Sequence, residues 1–231
     1  MIRTRDEEAV RVITIDRQGA RNALRPTELT DLHTAIDETE QPVAYLRGAG
    51  DAFCAGADLD VVADLDDPAA FARRGQRLTA AIADANAVVV CGIDGAARGG
   101  GVEVALGADV RVATRAATFA EPGVAFGLFG AWGGTVRLPR VMGEGDALDF
   151  ALSGRVLDAD EALRTGLVSR VVDDPRAVAD EIASGKPDAL RAIKQRIRDR
   201  RDEDVQARAE ATAFGELVRS HASEIAAGRD R

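Results

Sequence analysis

Apolar positions along the chain recur with two periods. Val10 to Ile15 is short and β-branched, as a strand requires, and Pro26 opens a segment in which Leu29, Leu32 and Ile36 return on one helical face. Val43 to Leu46 reads as a second strand and Ala69 to Ala83 as a helix rich in Ala, Arg and Leu. Ala87 to Ile93 is apolar throughout, which fits a strand buried on both faces. A glycine-rich turn, Gly95 to Gly101, leads from it into a short helix, Val102 to Leu106, and strands recur at Val110 to Ala113 and Thr118 to Phe119. Beyond Trp132 helical patterns dominate, at about 143–152, 158–165, 176–183 and from 187 into the 220s, with a strand-like Leu167 to Val172 between them. Strands alternating with helices, then mostly helices, predict an α/β fold in two parts, a core over 1–175 and a helical C-terminal region over 176–231.

Composition narrows the function classes. With 46% hydrophobic residues in 231, the chain can bury a core. A net charge of −9 argues against a nucleic-acid partner, which demands a cationic field. Only Lys186 and Lys194 are lysines among 30 basic residues, a bias that speaks of the source and not of function. Cys54 and Cys91 are far apart without a CxxC pattern, and His33 and His221 are the only histidines, so neither a disulfide scaffold nor a metal site is expected. No apolar run reaches the roughly 18 residues of a membrane span, and Met1 to Asp6 does not read as a signal peptide, so a cytoplasmic protein is expected.

The chain lacks a G-x-S-x-G elbow and a Walker loop, and Phe53 stands at the third glycine position of a dinucleotide fingerprint begun by Gly48 and Gly50. Two loops of small residues remain, Gly48 to Leu59 and Asp94 to Glu103, each following an apolar strand. Small residues let a backbone approach a ligand, and free N–H groups at a helix start favour negative charge, so the pair could form an oxyanion hole, although functionless tight turns are the commoner reading of such loops. Glu103, in the first turn of its helix, suits a general base or a plain complement to the helix dipole.

At these residues the sequence resembles the enoyl-CoA hydratase/isomerase (crotonase) family over nearly its whole length. Arg21 to Leu24 is similar to the family's N-A-L segment, Phe53 to Leu59 to its A-F-x-A-G-A-D-L loop, and Gly99 to Glu103 to its G-G-G-x-E element. Gly133 to Leu138, Leu152 to Arg155 and Glu161 to Val172 resemble three later motifs in the family's order. The resemblance implies a crotonase-like spiral of ββα repeats with a helical C-terminal trimerisation region, giving a homotrimer or a dimer of trimers. It implies an acyl-CoA thioester as substrate, with coenzyme A entering only as part of that substrate and no separate cofactor. It further implies that the Ala57 and Gly100 amides bind the thioester oxygen, that Glu103 is the catalytic acid/base, and that Ala57, Asp58, Leu59, Gly100 and Arg21 contact substrate.

One departure bears directly on chemistry. The family's hydratases carry a second glutamate in a P-E segment, and the matching stretch here is Phe119-Ala120-Glu121-Pro122-Gly123, with Gly123 in the acid's place. Glu121 lies two positions earlier; in an extended segment that displaces it by about 6–7 Å, which weighs against its standing in for the lost acid. Hydration is the leading expectation. The alternatives are an enoyl-CoA isomerase or another thioester reaction of the family, and an acyl-CoA binder without turnover. The chain also ends at Gly228 to Arg231, where the family continues into an aromatic and basic tail, which implies a more open pocket. Trp132, Phe126 and Phe129 read as core or subunit contacts ahead of acyl-pocket residues.

Overall fold

The computed structural model describes residues 1–228; Arg229 to Arg231, part of the C-terminal stretch discussed above, lie outside the described residues. The chain enters through an antiparallel hairpin of β1 (Ile2–Glu7) and β2 (Val10–Ile15), followed by α1 (Pro26–Asp37). Next come β3 (Val43–Gly48), β4 (Ala52–Cys54), α2 (Leu59–Ala63) and α3 (Pro68–Asp84), then β5 (Val88–Ile93), β6 (Ala96–Arg98) and α4 (Gly100–Gly107). β7 (Val110–Ala113) and β8 (Thr118–Ala120) lead through a 3-10 turn (Pro122–Phe126) to α5 (Gly134–Met142) and α6 (Glu144–Ser153). β9 (Leu157–Asp158), α7 (Ala159–Arg164), β10 (Arg170–Val171) and α8 (Pro175–Ala183) follow.

The pairs β3/β4, β5/β6 and β7/β8 each give their first strand to one sheet and their second to the other. The larger sheet runs β1-β2-β3-β5-β7-β10 and the smaller β4-β6-β8-β9, parallel everywhere except at the β1/β2 and β8/β9 pairs. This is a spiral of ββα repeats. Every residue of β5 is buried, as its unbroken apolar run requires of a central strand covered on both faces. The core gathers Ile13, Leu46, Phe53, Val89 and Phe119 with the inner faces of α1, α3 and α4.

Ordinary elements fell where the apolar period placed them, and the departures have physical causes. β1 escapes a pattern search because it is an exposed edge strand dominated by Arg3, Arg5 and Asp6. α5 is masked by Pro139 inside it, and α4 begins two glycines before its apolar run. The strand expected over Leu167 to Val172 shrinks to Arg170–Val171. The described chain divides into two compact units, Met1–Ala183 and Ser184–Arg231. α8 buries Val178 and Ala179 and packs on β3 and β5, so it belongs to the first unit and not to the C-terminal part, where the helical pattern had put it. In the second unit, α9 (Pro187–Arg198) and α10 (Glu203–Ala227) are joined by ion pairs of Asp188 with His221 and of Lys186 with Glu224.

One buried side chain fixes the loop that leads to the site. Asn22 adopts a left-handed conformation (φ +61°), which asparagine tolerates better than most residues, and is fully buried. Its Nδ2 donates to the carbonyls of Ala49 (2.9 Å) and Ala52 (2.7 Å), and its Oδ1 accepts from the Arg17 amide (2.8 Å). Replacing it by Ala leaves these groups without partners, and Asn22→Ala is expected to lower stability by about 3 kcal/mol in urea unfolding. A loss below about 1 kcal/mol would mean that water takes over the carboxamide's bonds.

Candidate active site

Two backbone amides converge where β4 and α4 meet. Leu24 N donates to Gly56 O (2.7 Å) and Asp58 N to Leu24 O (3.1 Å), so the intervening Ala57 turns its own N–H away from that bridge. Gly100 is the first residue of α4, where an N–H has no intrahelical acceptor. Among the described residues neither amide donates to a protein group. Their approach demands glycine at position 56: φ is +87°, and a Cβ there would lie 2.5 Å from Arg98 O and 2.9 Å from Gly100 N. Gly100 is equally constrained, since a Cβ would sit 2.3 Å from the Trp132 ring.

Glu103 follows one turn later on α4, and both amides and this glutamate line one cavity of about 290 Å³. The side chain is almost wholly buried, and its Oε1 accepts from the backbone N–H of Trp132 (2.7 Å) and Gly134 (2.6 Å). Burial pushes the carboxyl up to about 7, against the opposing pull of the two amides and of Arg137. The Glu103 carboxylate thus ties α4 to the start of α5. A dipole complement alone would sit in solvent, so the geometry favours a functional acid over that reading.

A second glutamate enters from β8. Glu121 directly follows the strand on the side that buries Phe119, is 5% exposed, and has an Oε1 with no hydrogen-bond partner. Burial first, and then the nearby Glu103, push it up to about 8. Both carboxyls border Gly130: a Cβ on that glycine would lie 2.9 Å from Glu103 Cδ and 3.1 Å from Glu121 Oε2. The expected displacement of Glu121 does not keep it from Glu103, because the extended segment ends at Ala120 and the chain turns at Pro122. Glu121 lines a neighbouring apolar cavity of about 390 Å³ that shares Leu128, Phe129 and Gly130 with the first.

The remaining sequence-predicted residues divide. Ala57, Leu59, Gly100 and Glu103 line the same cavity; Asp58 and Arg21 do not. The Asp58 carboxylate is held by Arg17 (2.5 Å), which keeps it well below the usual range, and it caps α2 through Asp60 N. Arg21 holds the loop through its carbonyl, which accepts from Ala55 N (2.9 Å). Trp132 is both core and cavity wall, edge-on to Phe71 at 5.7 Å, while Phe126 and Phe129 are exposed at the cavity rims. Cys54 and Cys91 are buried, which pushes both thiols up. Arg17 and Gly130 were missed, for an arginine in a loop and a lone glycine carry no motif of their own. Among the described residues no helix is long and apolar enough to cross a membrane, and no cluster of His, Cys, Asp or Glu suits a metal ion.

An α/β spiral with paired amides and a buried glutamate at its second-to-third repeat defines a crotonase-type fold. Residues 5–229 match the family model for enoyl-CoA hydratase/isomerase, and the chain belongs to that family. It is 34% identical over 161 residues to the crotonyl-CoA hydratase of Syntrophomonas wolfei, an alignment covering 67% of this chain and 62% of that protein. Among solved structures, an enoyl-CoA hydratase from Thermoplasma volcanium GSS1 superposes with a TM-score of 0.90 at 28% identity, over 100% of this chain and 97% of that one. A Thermobifida fusca YX relative solved with acetoacetyl-CoA gives 0.84 at 26% identity, covering 95% of each chain.

Both glutamates bind protons more tightly in the folded chain than in the unfolded one, whose carboxyls titrate near 4.5. The ionisation part of their burial cost is therefore absent well below that value and grows as pH rises until it is complete above about 8. Glu121→Gln is expected to differ least from the wild type in urea unfolding at about pH 4 and to gain on it increasingly towards about pH 8.5. A pH-independent difference would show that Glu121 ionises normally.

Proposed function

We propose that this chain adds water across the double bond of a 2-enoyl-CoA. The observation that carries the reading is one cavity holding two unpartnered amides, Ala57 and Gly100, together with the buried Glu103 carboxyl. The amides receive the thioester oxygen, where negative charge collects as the β-carbon is attacked; losing one such donor typically costs about 10²–10³ in rate. Glu103 takes the proton from the attacking water. Two amide bonds to Oε1 fix its orientation and leave Oε2 for this exchange.

Leu59 and the exposed Phe126 rim the cavity and suit the pantetheine arm and acyl group, and the acetoacetyl-CoA held by the Thermobifida relative supports a coenzyme A thioester as ligand. Homotrimer assembly, with or without pairing to a hexamer, fits the exposure of the apolar Leu148, Leu152, Val156 and Leu163, which an interface would cover. Chemistry on coenzyme A thioesters needs no resident cofactor in this scheme.

With crotonyl-CoA and a longer 2-enoyl-CoA, the purified protein is expected to consume the enoyl thioester absorbance and form the 3-hydroxyacyl-CoA. Glu103→Gln is expected to reduce kcat by about 10²–10⁴ while retaining acetoacetyl-CoA binding. Unchanged turnover in that variant rules Glu103 out as the base.

A further inference from the structure

Position 123, where the family's hydratases carry their second acid, is crowded in this chain. A Cβ on Gly123 would lie 3.0 Å from the Leu128 carbonyl oxygen and 3.2 Å from Phe129 Cα, and Leu128 N donates to Gly123 O (2.9 Å), drawing that loop across it. A side chain there requires that backbone to give by a few tenths of an ångström. The carboxyl of Glu121 is meanwhile buried beside Glu103, with an oxygen that no protein group satisfies. Leaving such an atom unpaired costs about 1–3 kcal/mol, so a buried acid with no structural bond calls for another reason to be there.

We infer that Glu121 is the second catalytic residue of this chain, the acid that delivers a proton to the α-carbon of the thioester. The inference rests on the hydration reading above and adds the group which that reading lacks. The two carboxyls both border Gly130, which lines the cavity of the two amides as well as the apolar cavity lined by Glu121, Leu138 and Ala147. An acyl chain running from the amides past Gly130 carries its α- and β-carbons between the two glutamates.

The environments separate the two roles. Glu103 accepts two backbone N–H bonds, which favour its charged form, whereas Glu121 Oε1 has none and lies next to that charge. Of the pair, Glu103 is therefore the base and Glu121 the neutral acid, in line with its higher titration near 8. Arg137 on α5 acts on Glu103, and Glu144 lines the far side of the second cavity. As water attacks, its oxygen bonds to the β-carbon and Glu103 takes its proton. The C=C electron pair moves to the thioester oxygen as an enolate. The enolate collapses, the α-carbon takes the proton of Glu121, and the proton on Glu103 then passes to Glu121, so that one water is added and both acids are restored.

The test is steady-state hydration of crotonyl-CoA by Glu121→Gln, with acetoacetyl-CoA binding and thermal unfolding measured in parallel. The expected result is a kcat lowered by about 10²–10⁴, with KM and thioester affinity close to wild type. Glu121→Leu, of similar size and with no polar atom to bury, is expected to show the same loss and serves if the glutamine variant does not fold. A Glu121→Gln enzyme within about threefold of wild type overturns this inference and leaves Glu103-based hydration standing. Loss of thioester affinity in step with kcat also overturns it, by giving Glu121 a structural role. A wild-type chain that binds acetoacetyl-CoA and hydrates no 2-enoyl-CoA overturns the hydration reading itself.

Discussion

The bond pair from Trp132 and Gly134 amides to Glu103 Oε1 is the constraint on which the site hangs. It joins a helix of the third strand pair to the segment that opens α5, and it does so inside the protein, where a misplaced carboxylate is costly. Trp132, held at this point, lies over Gly100 and meets Phe71 of α3, while Thr79 Oγ1 donates to its carbonyl (2.6 Å). The first residues of α4 are thereby fixed against α3 and the loop before α5. The free amide of Gly100 and the oriented carboxyl of Glu103 are products of one arrangement.

Two like residues in nearly the same place acquire different chemistry from their neighbours. Glu103 is solvated by backbone, Glu121 by almost nothing, and the nearby Glu103 further disfavours ionisation of Glu121. Side-chain identity sets the range of roles available; the count of N–H donors around each carboxyl selects between them. The scaffold supplies those donors, the amides of Trp132 and Gly134, without spending a single side chain on them.

Much of this was legible in the chain itself. β2, β3, β5, α1 and α3 follow from period alone, since their burial matches their apolar spacing. The glycine loops and Glu103 were visible because backbone chemistry leaves a mark of small residues. Asp58 was misweighted, for its place in a recognisable loop says nothing of Arg17, 41 positions away, whose guanidinium occupies it. The burial of Glu121 beside Glu103 was hidden for a related reason: alternation along a strand measures distance only while the strand stays straight, and this one ends at Ala120. The crowding of position 123 by Leu128 and Phe129, five and six residues on, depends on how the intervening turn folds back, which apolar spacing does not encode.

The loop that separates the two cavities leaves Phe126, Leu128 and Phe129 with much of their apolar surface in water. A ligand seated against that wall removes this surface from solvent, and removal of apolar surface lowers heat capacity. Recognition at the rim is therefore temperature-dependent in its enthalpy even where its free energy is nearly flat, so the balance of heat and entropy in complex formation reports on the loop while saying little about the acids behind it.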